Sequence, residues 1–425
     1  MSSFDLVALL LLLAAVLGIA NQLWFRLPRT IGVMAGALAV SVVVVVVDRL
    51  TPQVDLRGWW NTLLVASDLP HVFLDGVLAF MLFAGSLNVD MDALRDNKWT
   101  VLALATVGTL MATIMFAAGI YFVFGQRVPV PWCVVLGAIL APTDPIAVAG
   151  LLRRVGLPAG LQAVIAGESL FNDGVAVVVF SLAATWAQGN GSAAGSTIAL
   201  QFLQEAMGGA ALGLLTGYVA YRALKLVDEY HLELTISLAL VTGTYSVAHA
   251  LHLSGPIAVV VAGLLIGYRA TRFAMSDISR VQVETFWELV DELLNAVLFL
   301  LLGFTLLSVQ FNLSGLAGAA GGIVLAVLVR LVSVALPSVL LNLRQLHKAR
   351  GIAVLTWGGL RGGISVALVL SLAPFPWRGE VLTVCYAVVV FTILVQGLTM
   401  PWLIARLYPP ASLQDQHRDH HGDHA

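Results

Sequence analysis

Charge is what this sequence has least of. Only 11% of its 425 residues are Asp, Glu, Lys or Arg, whereas 59% are hydrophobic and the mean hydropathy is +0.93. Soluble domains carry about 25% charged residues, so a soluble globular chain is excluded and an integral membrane protein is implied. A formal net charge of −2 supplies neither a basic face for nucleic acid nor a global field for an anionic partner, which leaves only local electrostatics to consider. Cysteine is scarce as well. Cys133 and Cys385 both lie in apolar runs, which excludes a disulfide framework and leaves them as small hydrophobes. The first apolar run also lacks a basic stretch ahead of it, so residues 4–23 are expected to form a first spanning helix rather than a cleaved signal.

Long apolar stretches are what the chain has in excess. A hydrocarbon core of ~30 Å requires about 20 mostly apolar residues per helix. Cutting the chain at charged and Gly/Pro/Asn clusters predicts spans near 4–23, 30–47, 69–88, 99–124, 130–152, 160–187, 197–221, 231–251, 255–268, 286–308, 313–343, 351–374 and 380–405. The expected fold is therefore an all-α polytopic membrane protein with about 13 transmembrane helices. Alternate loops test that count. One set holds sixteen basic residues: Arg26, Arg29, Arg95, Lys98, Arg153, Arg154, Arg222, Lys225, Arg269, Arg272, Arg280, Arg344, Lys348, Arg350, Arg406 and Arg418. The other set holds four: Arg49, Arg57, Arg127 and Arg378. An error in the helix count would scramble this asymmetry, so the positive-inside rule predicts the N-terminus outside and the C-terminus in the cytoplasm.

Of the 22 basic residues two remain, Arg330 and Arg361, and both fall within spans. Three carboxylates are placed equally deep: Asp144, Glu168 and Asp173. An ionised side chain at the bilayer centre costs about 2.5–3.5 kcal/mol or more unless paired, so such residues mark pathways and relays. If acids neutralise both arginines, one carboxylate is left to exchange a proton for another cation. In the stretch GESLFNDGVAVVVF, 167–180, helical geometry of about 100° per residue puts Glu168 and Asn172 on one face and Ser169 and Asp173 on another. The first pair can hold an arginine from a neighbouring helix. The second offers the hard oxygens that suit a small cation. A purely structural buried network of all four is the competing reading.

Two stretches interrupt spans that should be continuous. In APTDPIAVAG, 141–150, Pro142 and Pro145 flank Asp144; in TWGGLRGG, 356–363, four glycines surround Arg361. Unwound backbone is tolerated at membrane depth only where protein buries it or it lines a cavity. These breaks fall in the fifth and twelfth segments, and an odd separation gives them opposite orientations, as inverted repeats with a mid-membrane site require. Asp144 and Arg361 carry the signs needed to offset opposite half-helix ends. Close packing and ordinary kinks are the alternative explanation.

Thr143-Asp144-Pro145, Glu168-Ser169 with Asn172-Asp173, Ser254-Gly255, Asn295 with Phe299 and Gly303, Arg330, and Gly359-Leu360-Arg361-Gly362-Gly363 occur in an order that resembles the monovalent cation:proton antiporters of the NhaP and eukaryotic sodium/proton exchanger type, over roughly residues 10–405. The resemblance implies an NhaA-like antiporter fold with inverted repeats and two crossed broken helices. It implies a secondary transporter, not an enzyme, that exchanges Na+ (Li+ or K+ as alternatives) for H+ and needs no cofactor. Asp173 would be the exchange carboxylate, with Ser169 and the Thr143 carbonyl as further ligands of the transported cation. Glu168 and Asn172 would be the partners of Arg330, while Asp144 and Arg361 would steady the broken helices. An elevator mechanism would move a transport domain, about 99–187 plus 313–405, against a dimerisation domain, about 4–88 plus 231–308, in a homodimer of the cell membrane. The antiporter unit would span 1–408. In one place the chain departs from the pattern, because Leu82-Phe83 is followed by Ala84 where many relatives have a glutamate.

Asn172 before Asp173 leaves one ionisable side chain where relatives that move net charge have two, which predicts one-for-one, electroneutral exchange. An intramembrane aspartyl protease is disfavoured because Asp173 sits in Asn-Asp-Gly rather than Gly-x-Gly-Asp, and a channel because paired helix breaks favour alternating access. The tail 409–425 holds four of the nine histidines and is expected to be a disordered cytoplasmic segment.

Overall fold

Every apolar run above contains helix among the described residues. The computed structural model describes residues 3–51, 55–66, 72–144, 157–189, 195–270, 275–309, 313–340 and 349–408, and among them there is no β-strand. Pro145, Arg153, Arg154, Arg272, Arg344, Lys348, Arg418 and the tail lie outside the described residues. In chain order the helices are α1 (Ser3–Ala20), α2 (Arg29–Leu50), α3 (Leu56–Ala66), α4 (Leu78–Leu87), α5 (Met91–Asp96), α6 (Lys98–Val123), α7 (Val130–Leu140) and α8 (Ala159–Ala187). They continue as α9 (Gly195–Leu224), α10 (Tyr230–Ala250), α11 (Gly255–Ala270), α12 (Asp277–Ser308), α13 (Leu313–Leu340), α14 (Ala349–Trp357), α15 (Gly363–Ser371) and α16 (Arg378–Leu407). All thirteen expected spans contain helix. Eight helices among the described residues are long and apolar enough to cross a bilayer unaided.

Two short helices, α3 and α5, stand where the sequence reading placed loops. In α3, Trp60 packs on Phe304 with ring centroids 5.3 Å apart, and the Arg57 guanidinium donates to the Leu307 and Val309 carbonyls at 3.0 and 2.8 Å. A residue counted only as loop charge therefore caps the end of α12, whose last carbonyls have no intrahelical donor. In α5, Asp90 caps the helix by accepting from the Asp92 and Ala93 amides.

Packing gathers the helices around three cores, the largest of which also takes in Ile31 of α2, Leu82 of α4, Val260 of α11 and Phe299 of α12. Ile120, Leu136, Leu140, Val164, Val329, Leu355, Leu368 and Val388 join α6–α8 to α13–α16 in the largest apolar core. Leu6, Leu10, Ala37, Trp60 and Phe304 join α1–α3 to α12, and Phe83, Val241, Val259 and Trp287 join α4 and α9–α12. Lipid is no poorer than a leucine core as an apolar medium, so association of such helices relies on close packing and hydrogen bonds rather than on hydrophobic burial. α8 is the most enclosed long helix, with 78% of its central window buried, whereas only 11% of that of α9 is. The helix that carries the polar sequence is thus the one held farthest from lipid.

Both expected interruptions are present. Residues 141–144 leave helical geometry after α7, and residues 358–362 separate α14 from α15. The two breaks touch: the Asp144 amide donates to the Leu360 carbonyl at 2.8 Å, and the Ser365 hydroxyl to the Ile139 carbonyl at 2.7 Å.

Candidate functional site

At the first break the chain has free carbonyls, because the residues that would donate to them no longer follow in helical register. Arg361 meets that need from across the contact. It is 2% exposed, and its Nη1 donates to the Ala141 and Pro142 carbonyls at 2.6 and 2.7 Å, while its amide donates to Thr392 Oγ1 at 3.0 Å. Asp144 answers at the second break. Its carboxylate lies against Gly362, the residue that precedes α15, where a Cβ would overlap it. A cation therefore stands at the C-terminal end of α7 and an anion at the N-terminal end of α15, each sign opposite to the partial charge of the helix end it meets.

The sequence ledger is corrected here. Arg361 is held by carbonyl dipoles, so the count of three acids against two bases does not by itself identify the spare acid. The count was also too low. Asp291 in α12 lies within electrostatic reach of Asp144, as Asp173 does, and its side chain accepts from Asn295 Nδ2 at 3.0 Å. Glu233 in α10 is fully buried. The signal for Asp291 was its place one turn before Asn295, near the start of the expected span 286–308.

Glu168, Ser169, Asn172 and Asp173 are all buried on α8. Glu168 meets Arg330 of α13 in a two-point pair, Nη1 to Oε1 at 2.5 Å and Nη2 to Oε2 at 3.0 Å, and Arg330 Nε donates to the Leu355 carbonyl at 3.2 Å. That third bond reaches the last turn of α14, so Arg330 links α8 to the second break. Its side chain crosses Gly359, where a Cβ would sit 2.9–3.0 Å from Arg330 Cδ and Cγ.

Asn172 was expected beside Glu168 as a second partner of Arg330. It turns to the first break instead. Its Nδ2 donates to Thr143 Oγ1 at 2.9 Å, and the Thr143 amide donates to its Oδ1 at 3.5 Å. The physical reason is that the unwound 141–144 segment exposes an amide without a helical acceptor, which a side-chain carboxamide can satisfy. Thr143 Oγ1 also lies 3.2 Å from Ser169 Oγ. Ser169, Asn172 and Thr143 thus form a polar cluster on the α8 face towards the break, and Asp173 lies one turn from Ser169. The Asp173 carboxylate is 8% exposed and makes no hydrogen bond or ion pair among the described residues. Directly after it, Gly174 lets the start of α11 approach, since a Cβ there would lie 2.7 Å from Ile257 Cγ1.

A buried carboxylate without a partner among the described residues, beside a broken helix whose ends meet Arg361 and Asp144, is an arrangement suited to holding a proton or a small cation. The chain matches the family described as "Sodium/hydrogen exchanger, transmembrane" over residues 8–406. It belongs to that family. The Na(+)/H(+) antiporter NhaP of Pseudomonas aeruginosa is 42% identical over 427 residues, covering 98% of this chain and 100% of that one. NhaH of Halobacillus dabanensis, also named a Na(+)/H(+) antiporter, is 37% identical over 336 residues, 78% of this chain and 81% of its own. The solved structure of the sodium proton antiporter MjNhaP1 from Methanocaldococcus jannaschii superposes with a TM-score of 0.72 at 18% identity, over 95% of this chain and 98% of that one, which shows a shared fold. Against the expectation drawn from this family, Ala84 is fully buried in the apolar cluster of Phe83, Val259 and Trp287 and brings no oxygen to the site.

Proposed function

We propose that this exchanger is a Na+/H+ antiporter, with Li+ as an alternative cargo, in which Asp173 holds either the proton or the cation. The observation that carries the reading is the Asp173 carboxylate, buried, unpaired among the described residues and one turn from Ser169 of the Ser169–Thr143–Asn172 cluster. Protonated, it is neutral and stable in a site of low dielectric; ionised, it requires a cation, and the nearby oxygens of Ser169 and the Thr143 carbonyl supply neutral ligands. The two states exclude each other, and that exclusion couples the two fluxes.

Stoichiometry follows from the same residues. Asn172 cannot ionise, and Glu168 is held by Arg330, so one cation displaces one proton. Membrane potential acts at about 2.3 kcal/mol per elementary charge per 100 mV, and zero net charge is moved. The contacts that join α6–α8 to α13–α16, and those that join α1–α3 and α4 to α12, support an elevator in which α6–α8 and α13–α16 move against α1–α4 and α10–α12, the latter forming the contact of a homodimer in the cell membrane, N-terminus outside and C-terminus cytoplasmic. Proteoliposomes test this: Na+, Li+ or K+ is added outside, dequenching of an internal pH dye is followed, and a potassium/valinomycin potential is imposed in the Na+ arm. Na+-driven proton flux that ignores the potential is expected. A steady-state proton gradient that shifts with the potential would remove the one-for-one assignment, and no flux with any cation would remove the antiport itself.

A further inference from the structure

A cleft of about 640 Å³ opens where α5, the start of α6, α8 and α11 meet, within the ~300–1,000 Å³ range of ligand clefts. Its wall is largely apolar, lined by Met91, Leu94 and Val101, by Phe171 of α8 and by Leu264 of α11. Leu94, Val101 and Leu264 are buried while Leu102 is 51% exposed, so the cleft has a floor in the helix packing and is open on its outer side. Its mouth is of another character. Arg95 and Lys98 line it, both exposed, and neither is paired with a carboxylate among the described residues. Asp92 and Asp96 of the same short helix do not line the cleft. Trp99 is 70% exposed at the rim with the Lys98 ammonium 5.6 Å from its ring, and Tyr268 stands across from it.

Position selects the occupant. Arg95 and Lys98 belong to the Lys/Arg-rich loop set, so the mouth opens at the cytoplasmic membrane surface, where aromatic rings sit at headgroup depth and anionic lipids are recognised by basic side chains. A soluble anion would have no use for the apolar chamber, and a neutral lipid none for two unpaired cations. We propose that this cleft is a binding site for an anionic phospholipid of the inner leaflet, one acyl chain lying between Leu94, Val101, Phe171 and Leu264 and the phosphate held by Arg95 and Lys98. The site joins α5, α6 and α8 to α11, that is, it bridges the helices assigned above as moving and fixed. Its effect on transport rests on that assignment; binding does not. A lipid wedged there would have to shift or leave as the two groups slide.

Native mass spectrometry of the full-length protein in detergent tests it, with phosphatidylglycerol and phosphatidylcholine titrated separately. A phosphatidylglycerol adduct is expected that Arg95→Gln/Lys98→Gln weakens by ~30-fold, as two basic contacts near an anionic surface imply. Leu102→Trp, at an exposed position lining the cleft, keeps both cations and should lose the same adduct by blocking the chamber. Equal binding of phosphatidylcholine would overturn the headgroup assignment. Displacement by glycerol 3-phosphate would show a soluble-anion site, and unchanged binding in both variants would place the lipid elsewhere. Asp173→Asn should bind phosphatidylglycerol as the unaltered protein does, so failure of the antiport reading and failure of the lipid site are read separately.

Discussion

Replacing Arg330 by alanine should destabilise the protein more than any change at Asp173. The structure gives the scale. Arg330 is the source of two charge-assisted bonds to Glu168, at 2.5 and 3.0 Å, and of a third to the Leu355 carbonyl at 3.2 Å. Glu168 is 2% exposed, so no water replaces the lost guanidinium. Removing one member of a buried pair costs about 3–5 kcal/mol, because the other charge stays behind without a partner. Glu168→Gln removes the other member and should be similarly costly, while Glu168→Gln combined with Arg330→Met removes both charges and should lose less than the sum of the single changes, by about 2–3 kcal/mol of coupling. Arg330→Lys keeps the charge but not the fork and should fall between. Melting of the detergent-solubilised protein, followed by the loss of its monodisperse chromatographic peak, measures each. A wild-type melting temperature for Arg330→Ala, or strict additivity in the double variant, would refute the claim that this pair anchors α8 to α13.

Three further outcomes are expected. Asp173→Asn should abolish cation-driven proton flux in proteoliposomes while melting no lower than wild type, since it removes a charge that has no partner; retained exchange would move the ion-carrying role to another residue, Asp291 first. Gly359→Ala should destabilise by about 1–3 kcal/mol, because its Cβ must push the Arg330 side chain off its path, and a thermal melt reads the loss. Asn172→Asp puts a second ionisable group beside Thr143 and should make the flux respond to an imposed potential; a response identical to wild type would show that residue 172 does not set the stoichiometry.

The sequence was most informative where physics allows few solutions. Apolar runs of spanning length become helices whatever their neighbours, so all thirteen segments were legible, and the alternation of loop charge was a check on their number. Proline and glycine around Asp144 and Arg361 marked both breaks, because backbone at that depth has so few ways to be satisfied. The short helices were not legible: α3 and α5 are too brief for apolar periodicity, and α3 is held by Trp60 and Arg57 reaching a distant helix end. Asn172 was misassigned because helical phase tells which residues share a face and not what that face meets. Glu168 and Asn172 do lie on one side of α8, yet one looks to α13 and the other to the unwound strand of chain at Thr143. Arg361 offsets a half-helix end as its sign implied; it was the count of side-chain charges that could not name the spare acid, since such a count leaves out the carbonyl dipoles of an interrupted helix.

Those dipoles change what the site's charges are for. Two helices broken at mid-membrane present a partial positive and a partial negative end, and leaving either bare in a low-dielectric interior would be costly. Arg361 and Asp144 are committed to those ends, and Arg330 and Glu168 to each other. Each commitment holds one break to another helix: Arg361 ties the second break to α7, and Arg330 reaches from α8 to α14. The members of this network must remain ionised for the broken helices to stay together, so none of them is free to give up its charge during a transport cycle. Asp173 stands next to the network without being bound into it. In the proposed cycle its charge comes and goes without removing a hydrogen bond from either break among the described residues, so the same packing can hold when the carboxylate carries a proton and when it carries a cation.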